Sequence, residues 1–133
     1  MSYDICLCDP VSGETLELDA PHQMKGGTYA MGGSSDAHLN VTYNYGPIFR
    51  RVLADRPWRE GDSDHDIDGV GGIRTIYGMT GAESLMVLQD AINKLGDDAD
   101  PDYWKPTEGN AKRALVQLRA LALMRPDGVW SGD

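Results

Sequence analysis

The hydrophobic period of this sequence changes halfway along the chain, and no other feature constrains the fold as strongly. In the N-terminal half, apolar and polar residues alternate within short segments, which is the pattern of strands with one buried face. After residue 80, apolar residues recur every three or four positions, as on the buried side of a helix. Strands followed by helices predict an α+β fold, in which an antiparallel sheet of three to four strands carries two to three helices packed on one face.

Most of the predicted strands lie in the first 45 residues. Residues 3–8 and 14–19 alternate on either side of the turn-forming stretch 9–13, so we predict a β-hairpin. Residues 38–45 alternate most regularly and predict a further strand. Residues 129–130 either return as a last short strand or pack as a tail.

Helix-capping signals place the predicted helices. Pro47 favours the first position of a short helix over 47–54. Thr80 and Glu83 have the spacing of a capping box and begin a long helix, and Thr107 caps a second one. The residues of this last helix predicted to face inward are Ala111, Ala114, Leu115, Leu118, Leu121 and Ala122.

Length and charge limit the class of protein. A chain of 133 residues suits a single domain over 1–133, with a mobile acidic loop predicted at 55–72. The net charge of −9 disfavours direct binding to nucleic acids or anionic membranes. The first residues lack the basic and apolar regions of a secretion signal, and no apolar run is long enough to span a membrane, so we expect a cytoplasmic protein.

Metal and catalytic motifs are incomplete. Residues 64–69 match the first half of a calcium loop, but Thr75 stands where the closing acid belongs. The candidate ligands for a zinc ion are Cys6, Cys8, His22 and His38, but they lack the usual spacing of zinc ligands. Because the two cysteines share one strand face at i, i+2, we expect them not to bridge each other. No cofactor, metal site or catalytic residue is predicted, and an enzyme is disfavoured.

A polar strand face is the predicted small-molecule site. His38, Asn40, Thr42 and Asn44 follow the two-residue period of a strand and would form a hydrogen-bonding floor. Asparagine has a low strand propensity, so two asparagines on one strand suggest that a ligand or another part of the protein holds them there. The alternative is the solvent-facing side of a sheet. The flanking groups are predicted to be Tyr29, Arg74 and Tyr77.

Several stretches carry a resemblance to a known group of proteins. Residues 39–45, residues 73–83 and the tail segments 102–104, 110–114 and 124–130 resemble small acidic proteins encoded by phages and prophages of Gram-positive and gut bacteria. Residues 55–71 depart from that pattern. The group carries no established activity, so the resemblance implies no catalytic residue. It implies a biological setting in which small phage proteins bind host machinery stoichiometrically, as inhibitors of host defence such as anti-CRISPR proteins do.

These observations predict a non-enzymatic binding protein of phage origin, acting as an inhibitor of a host defence system. Its partner would be a host protein, for example a basic nucleic-acid-binding one, and self-association into a homo-oligomer is left open. The acidic residues expected to face this partner are Asp62, Asp64, Asp66, Asp68, Asp97, Asp98 and Asp100. The alternative is a protein that binds or sequesters a nucleotide signal on the polar strand face.

Overall fold

The structure is a computed structural model that describes residues 2–22, 34–53 and 72–133. Its strands are β1 (Ser2–Cys8), β2 (Glu17–His22), β3 (Ser34–Asp36), β4 (His38–Thr42) and β5 (Val129–Gly132). Its helices are α1 (Gly46–Val52), α2 (Gly81–Asn93) and α3 (Glu108–Met124), with 3₁₀ turns over Tyr43–Tyr45 and Gly72–Ile76. The predicted α+β class is confirmed.

β1 is the central strand of a three-stranded antiparallel sheet, between β4 and β5. It alternates as predicted, with Ile5 and Leu7 fully buried and Cys6 on the opposite side. The register pairs Ile5 with Leu39 and Leu7 with Trp130, so apolar side chains of all three strands share one face. Together with apolar side chains of the three helices, this face forms one buried cluster.

The predicted hairpin of the first two strands is correct only at its turn. The Leu16 N–H donates to the Leu7 carbonyl at 2.9 Å, and Cys8 and Thr15 form an antiparallel bridge. Beyond this point β2 leaves β1 and pairs with β3 in a second, two-stranded sheet. The reason is that β4 and β5 occupy the two edges of β1, so β2 has no edge left to extend along.

The strand predicted over 38–45 ends early, at Thr42. The Thr42 hydroxyl accepts a hydrogen bond from the Asn44 N–H at 3.2 Å, and the chain turns away from the sheet in a 3₁₀ turn. Tyr45 stays fully buried, because the turn directs it into the core. Helix α1 follows immediately, with Pro47 in its first turn as predicted.

The two long helices begin where the sequence places their caps. The Thr80 hydroxyl accepts from the Glu83 N–H at 3.1 Å, and the Glu83 carboxylate accepts from the Thr80 N–H at 2.9 Å. The Thr107 hydroxyl accepts from the Asn110 N–H at 3.1 Å. All six residues predicted to face inward on α3 are buried. The capping and periodicity predictions for this half of the chain are confirmed.

The C-terminal segment is a strand, and a buried hydroxyl ties it to α2. Trp130 of β5 donates from Nε1 to the Ser84 hydroxyl at 2.7 Å, and Ser84 donates to the Gly81 carbonyl at 2.8 Å. Ser84 is fully buried, so both hydrogen bonds compensate the cost of its desolvation. None of the helices in the described ranges is both long and apolar enough to cross a membrane.

Candidate functional site

Two residues of the predicted polar strand face, His38 and Asn40, lie on the open side of the three-stranded sheet. His38 Nε2 is 3.3 Å from Asp4 Oδ1, with side-chain exposures of 34% and 59%. Asn40 Nδ2 donates to Ser2 Oγ at 2.7 Å and to Asp4 Oδ1 at 2.8 Å. Asp4 therefore contacts both predicted residues in a small, half-exposed polar cluster.

The other two residues of that predicted face, Thr42 and Asn44, have a different role. Thr42 is fully buried, and its N–H donates to the Tyr103 hydroxyl at 2.9 Å. Asn44 lies beyond the strand, and its Nδ2 donates to the Trp104 carbonyl at 2.9 Å. The Tyr45 hydroxyl also donates to the Tyr103 carbonyl. These residues hold the segment between α2 and α3 against the end of β4, so the four-residue polar floor does not form.

Arg74 and Tyr77 lie near the C-terminal end of β5. Arg74 Nε donates to the Asp133 carbonyl at 3.0 Å, and its guanidinium lies 5.2 Å from the ring centroid of Tyr3 in cation–π geometry. The Asp133 carboxylate accepts from the Asp4 N–H at 2.9 Å, which links Arg74 to the polar cluster. Burial is the main cause of the raised pKa of Tyr77.

Part of the predicted site falls on residues that the structure does not describe. Tyr29 and the acidic residues Asp62, Asp64, Asp66 and Asp68 all lie outside the described ranges. The predicted loop at 55–72 is described only at its last residue, Gly72. Their proposed roles stay predictions.

Residues 94–107, which we call the connector, carry the remaining predicted acidic residues. Asp97 Oδ1 is 2.7 Å from Lys112 Nζ, and Asp98 Oδ1 accepts from the Gly109 N–H at 3.1 Å. A Cβ added at Gly109 would lie 2.3 Å from the backbone nitrogen of Ala99, so the connector runs directly against the first turn of α3. Both carboxylates therefore have a partner on α3.

Asn110, in the first turn of α3, holds the connector in place. This side chain is 1% exposed, accepts from the Asp100 N–H at 3.0 Å, and donates to the Asp102 and Lys105 carbonyls, each at 3.0 Å. The Asp100 carboxylate accepts from the Asp102 N–H at 2.8 Å and lies 3.4 Å from Lys105 Nζ. That backbone hydrogen bond is the main cause of the lowered pKa of Asp100. The connector acids thus organise their own loop, and their assignment to a partner surface stays a prediction.

A different group of carboxylates lies around the first turn and the second sheet. The first 24 residues contain five carboxylates and neither lysine nor arginine. Glu17 and Asp36 are direct partners across β2 and β3, where like charges disfavour pairing. We define the acidic surface as Asp9, Glu14, Glu17, Asp19, Asp36 and Asp127, of which all but the half-exposed Asp9 are exposed.

Arg125 is a cation that reaches the acidic surface. It binds Asp127 in bidentate fashion, at 3.1 Å from Nε and 2.8 Å from Nη2, and its Nη1 donates to the Glu17 carbonyl at 2.7 Å. The Asp127 hydrogen bonds are the main cause of the raised pKa of Arg125, and the charges of Asp19 and Asp9 add to it. Asp127, Asp19 and Asp9 all act on this one guanidinium, so in the described part of the chain these carboxylates outnumber the cation they share.

The first turn presents an apolar side chain beside the acidic surface. The Asp9 carboxylate accepts from the Val11 N–H at 2.8 Å and from the Ser12 N–H at 2.9 Å, and these bonds lower the pKa of Asp9, with the Ser12 bond the larger cause. Gly13 closes the turn with a φ of 75°, a conformation that favours glycine. Val11, at the tip, is 96% exposed. The turn is internally hydrogen-bonded, so Val11 is held in a defined position.

No metal centre is evident in the described part of the chain. It contains no group of three or more histidine, cysteine, aspartate or glutamate side chains placed to hold an ion. Cys6 and Cys8 are free thiols, and the side chain of His22 is not described. The half calcium loop at 64–69 lies outside the described residues.

The acidic surface is not visible as an acidic run in the sequence. Its carboxylates are spread singly over residues 9–36, with Asp127 added from the far end of the chain. The available signal was the lack of cations in the first 24 residues, which is visible without a structure. The absence of lysine and arginine from this segment is therefore the feature of the sequence that indicates the surface.

Comparison with known proteins gives no relative. The chain matches no protein-family model, no curated protein and no solved structure. A proposal for its function therefore rests on the residues described above.

Proposed function

We propose that this protein is a non-enzymatic binding protein whose acidic surface engages a basic partner protein. The observation that carries the proposal is the charge distribution around the first turn and the second sheet, where six carboxylates lie and Arg125 binds Asp127 and the Glu17 carbonyl. Glu17 and Asp36 are directly opposite each other in the register of β2 and β3, so two carboxylates lie close together on this surface.

The proposed partner class is a protein that itself binds nucleic acid. Such proteins carry arginine and lysine arrays that neutralise phosphates, and a fixed array of carboxylates can occupy the same side chains. On the sequence resemblance to phage and prophage proteins alone, we extend the proposal to an inhibitor of a host defence system, comparable in mode to anti-CRISPR proteins. In this proposal the acidic surface takes the place of the nucleic acid backbone.

Charge complementarity and one apolar contact would both contribute to binding. Complementary charges raise the association rate and exclude wrong partners more than they add affinity. Val11 extends from the rigid first turn among the carboxylates, where it can enter an apolar pocket of a partner. A single exposed apolar residue is common on protein surfaces, so the charge distribution and not Val11 carries the assignment.

Affinity capture at two ionic strengths tests this proposal. The purified protein is immobilised, exposed to a bacterial lysate, and the bound proteins are identified by mass spectrometry. Raising the ionic strength from about 0.1 M to about 1 M shortens the Debye length from about 10 Å to about 3 Å, so a specific basic partner should bind at the lower value and elute at the higher. A partner that is acidic, or whose binding ignores salt, would contradict the proposal.

A second candidate function is small-molecule binding at the polar cluster of the sheet. His38, Asn40 and Asp4 favour it, because they lie together on the open side of the sheet and are partly exposed. A thermal-shift screen with linear and cyclic nucleotides tests it. A rise in Tm that is lost in Asn40→Ala would support this role, and no shift with any nucleotide would remove it.

A further inference from the structure

The two cysteines are in contact. Cys6 and Cys8 lie on the same side of β1, and their sulfur atoms are 3.2 Å apart. This separation is shorter than an ordinary van der Waals contact between two sulfurs. The two side chains share one strand face, as the sequence predicts, and both are free thiols that lie in contact without a bond between them. They are also the only two cysteines of the chain.

The two thiols differ in accessibility. Cys6 is half-buried, whereas Cys8 is 8% exposed. Burial is the main cause that raises the pKa of Cys8 to about 11, and the hydrogen bond with Cys6 adds to it. A reagent from solution therefore reacts with the Cys6 thiol before it reaches the buried Cys8 thiol.

We propose that Cys6 and Cys8 form a reversible oxidation site, at which a low-molecular-weight disulfide such as oxidised glutathione converts the two thiols into an intramolecular disulfide. The Cys6 thiolate attacks one glutathione sulfur, forms a mixed disulfide and releases one glutathione thiolate. Cys8 then loses its proton and attacks the Cys6 sulfur, which releases the second glutathione. Two protein thiols are oxidised, one glutathione disulfide is reduced, and the two protein protons end on the two glutathione thiols.

Proximity makes the second step fast. A mixed disulfide at Cys6 holds its sulfur next to Cys8, so the resolving thiol is at contact distance and no other cysteine of the chain competes. Positioned intramolecular reactants react far faster than separate ones. The mixed disulfide should therefore not accumulate in the wild-type protein.

Strand geometry makes the site reversible. Two residues at i, i+2 of an extended strand have Cα atoms roughly 6.6 Å apart, from a rise of about 3.3 Å per residue. Disulfides span about 4.4–6.8 Å between Cα atoms and most often about 5.5–6 Å, so about 6.6 Å lies at the upper end of this range and an unstrained bond requires the end of β1 to shorten slightly. Cys8 bridges Thr15 and pairs with Val129, which resist this shortening. A disulfide that distorts its backbone is reduced easily, as regulatory disulfides are.

Mass spectrometry of the full chain tests the proposal. The protein is incubated with a mixture of reduced and oxidised glutathione, quenched with acid, alkylated and weighed intact. The expected product is a monomer lighter by two hydrogen atoms that takes up no alkyl group, and excess dithiothreitol should restore two alkylatable thiols. A wild-type protein that keeps two free thiols, accumulates the glutathione adduct, or forms a disulfide between chains would overturn the proposal.

The single-cysteine variants separate the two roles. Cys8→Ser should form no intramolecular disulfide and should accumulate the glutathione adduct at Cys6 at least about tenfold above wild type, because it lacks the resolving thiol. Cys6→Ser should react more slowly with glutathione than Cys8→Ser, because its remaining thiol is buried. Equal adduct levels in wild type and Cys8→Ser would contradict the proposal. Circular dichroism checks folding, and Cys8→Ala replaces Cys8→Ser if the serine unfolds the strand.

Discussion

The connector and the acidic surface are both rich in carboxylates, yet they use them in opposite ways. In the connector, Asp97 pairs with Lys112, and Asp98 accepts a backbone N–H of α3. In the acidic surface, Glu17 and Asp36 face each other across a strand pair, and Arg125 reaches the group from outside it. The connector acids bind groups of the protein's own fold, whereas two carboxylates of the acidic surface are set against each other.

This difference teaches that acidic composition alone does not locate a binding surface. A carboxylate that accepts backbone N–H groups or pairs with a lysine acts mainly on stability. A carboxylate that lies opposite another carboxylate acts mainly by attracting cationic groups of a molecule that approaches from solution. The two regions should therefore respond differently to the same kind of substitution, in stability for the connector and in binding for the acidic surface.

The largest expected effect is on the connector. Asn110→Ala should lower the free energy of unfolding by about 2–4 kcal/mol, because it leaves the Asp100 N–H and two carbonyls without their partner. Urea denaturation measures this. The control is Asn93→Ala, an exposed asparagine whose loss should cost less than about 0.5 kcal/mol. An Asn110→Ala protein as stable as the control would show that the connector is not held by this side chain.

Glycine substitutions compare how tightly the two regions are built. Gly109→Ala should lower the free energy of unfolding by about 1–3 kcal/mol, because its Cβ would meet the backbone of Ala99 and something must shift. Gly13→Ala meets no neighbouring atom, and its cost of about 1 kcal/mol would come from the positive φ. Chemical denaturation of both variants measures the two losses in the free energy of unfolding and shows which is larger. A larger loss at Gly13 would reverse the comparison.

Charge removal in the acidic surface should separate stability from binding. Glu17→Gln should leave the free energy of unfolding unchanged or raise it by up to about 1 kcal/mol, because it relieves the repulsion with Asp36. The control Asp97→Asn should lower it by less than about 1 kcal/mol, through loss of the exposed ion pair with Lys112. A stability loss in Glu17→Gln greater than that in Asp97→Asn would break the distinction between the two regions.

The smallest expected effect is on the pH dependence of stability. Asp9 and Asp100 both have lowered pKa values, caused first by a backbone N–H donated to each carboxylate. A carboxyl whose pKa is lower in the folded state stabilises the protein above its unfolded pKa, near about 3.9, and this contribution is lost as the pH falls through the folded value. Asp9→Asn and Asp100→Asn should therefore each flatten the decline of Tm below that pH, measured by thermal denaturation. Unchanged acid profiles would contradict these shifts.

Local signals explain how much of this structure the sequence could predict. The capping box at Thr80 and the cap at Thr107 involve residues three positions apart, so a reader of the sequence can find them. The end of β4 was harder to predict, because Thr42 combines a local cap on Asn44 with a contact to Tyr103, 61 residues away. The departure of β2 from the hairpin depends on β4 and β5 occupying both edges of β1, which is a property of the assembled sheet.

The candidate sites follow the same division between local and distant contacts. The polar strand face was partly predictable, since His38 and Asn40 follow the strand period, whereas the positions of Thr42 and Asn44 depend on the connector. The acidic surface could be suspected from the missing cations of the first 24 residues. Its completion by Arg125, which lies 108 residues from Glu17, required the fold.

The central claim is that the acidic surface, and not the connector, binds the partner. The most direct measurement is isothermal titration of the captured, purified partner into two matched triple variants, each of which removes three charges. The account predicts that Glu14→Gln/Glu17→Gln/Asp19→Asn lowers the affinity at least about tenfold, whereas Asp97→Asn/Asp98→Asn/Asp100→Asn changes it less than about threefold. The reverse order, with binding lost in the connector variant and kept in the other, would contradict it.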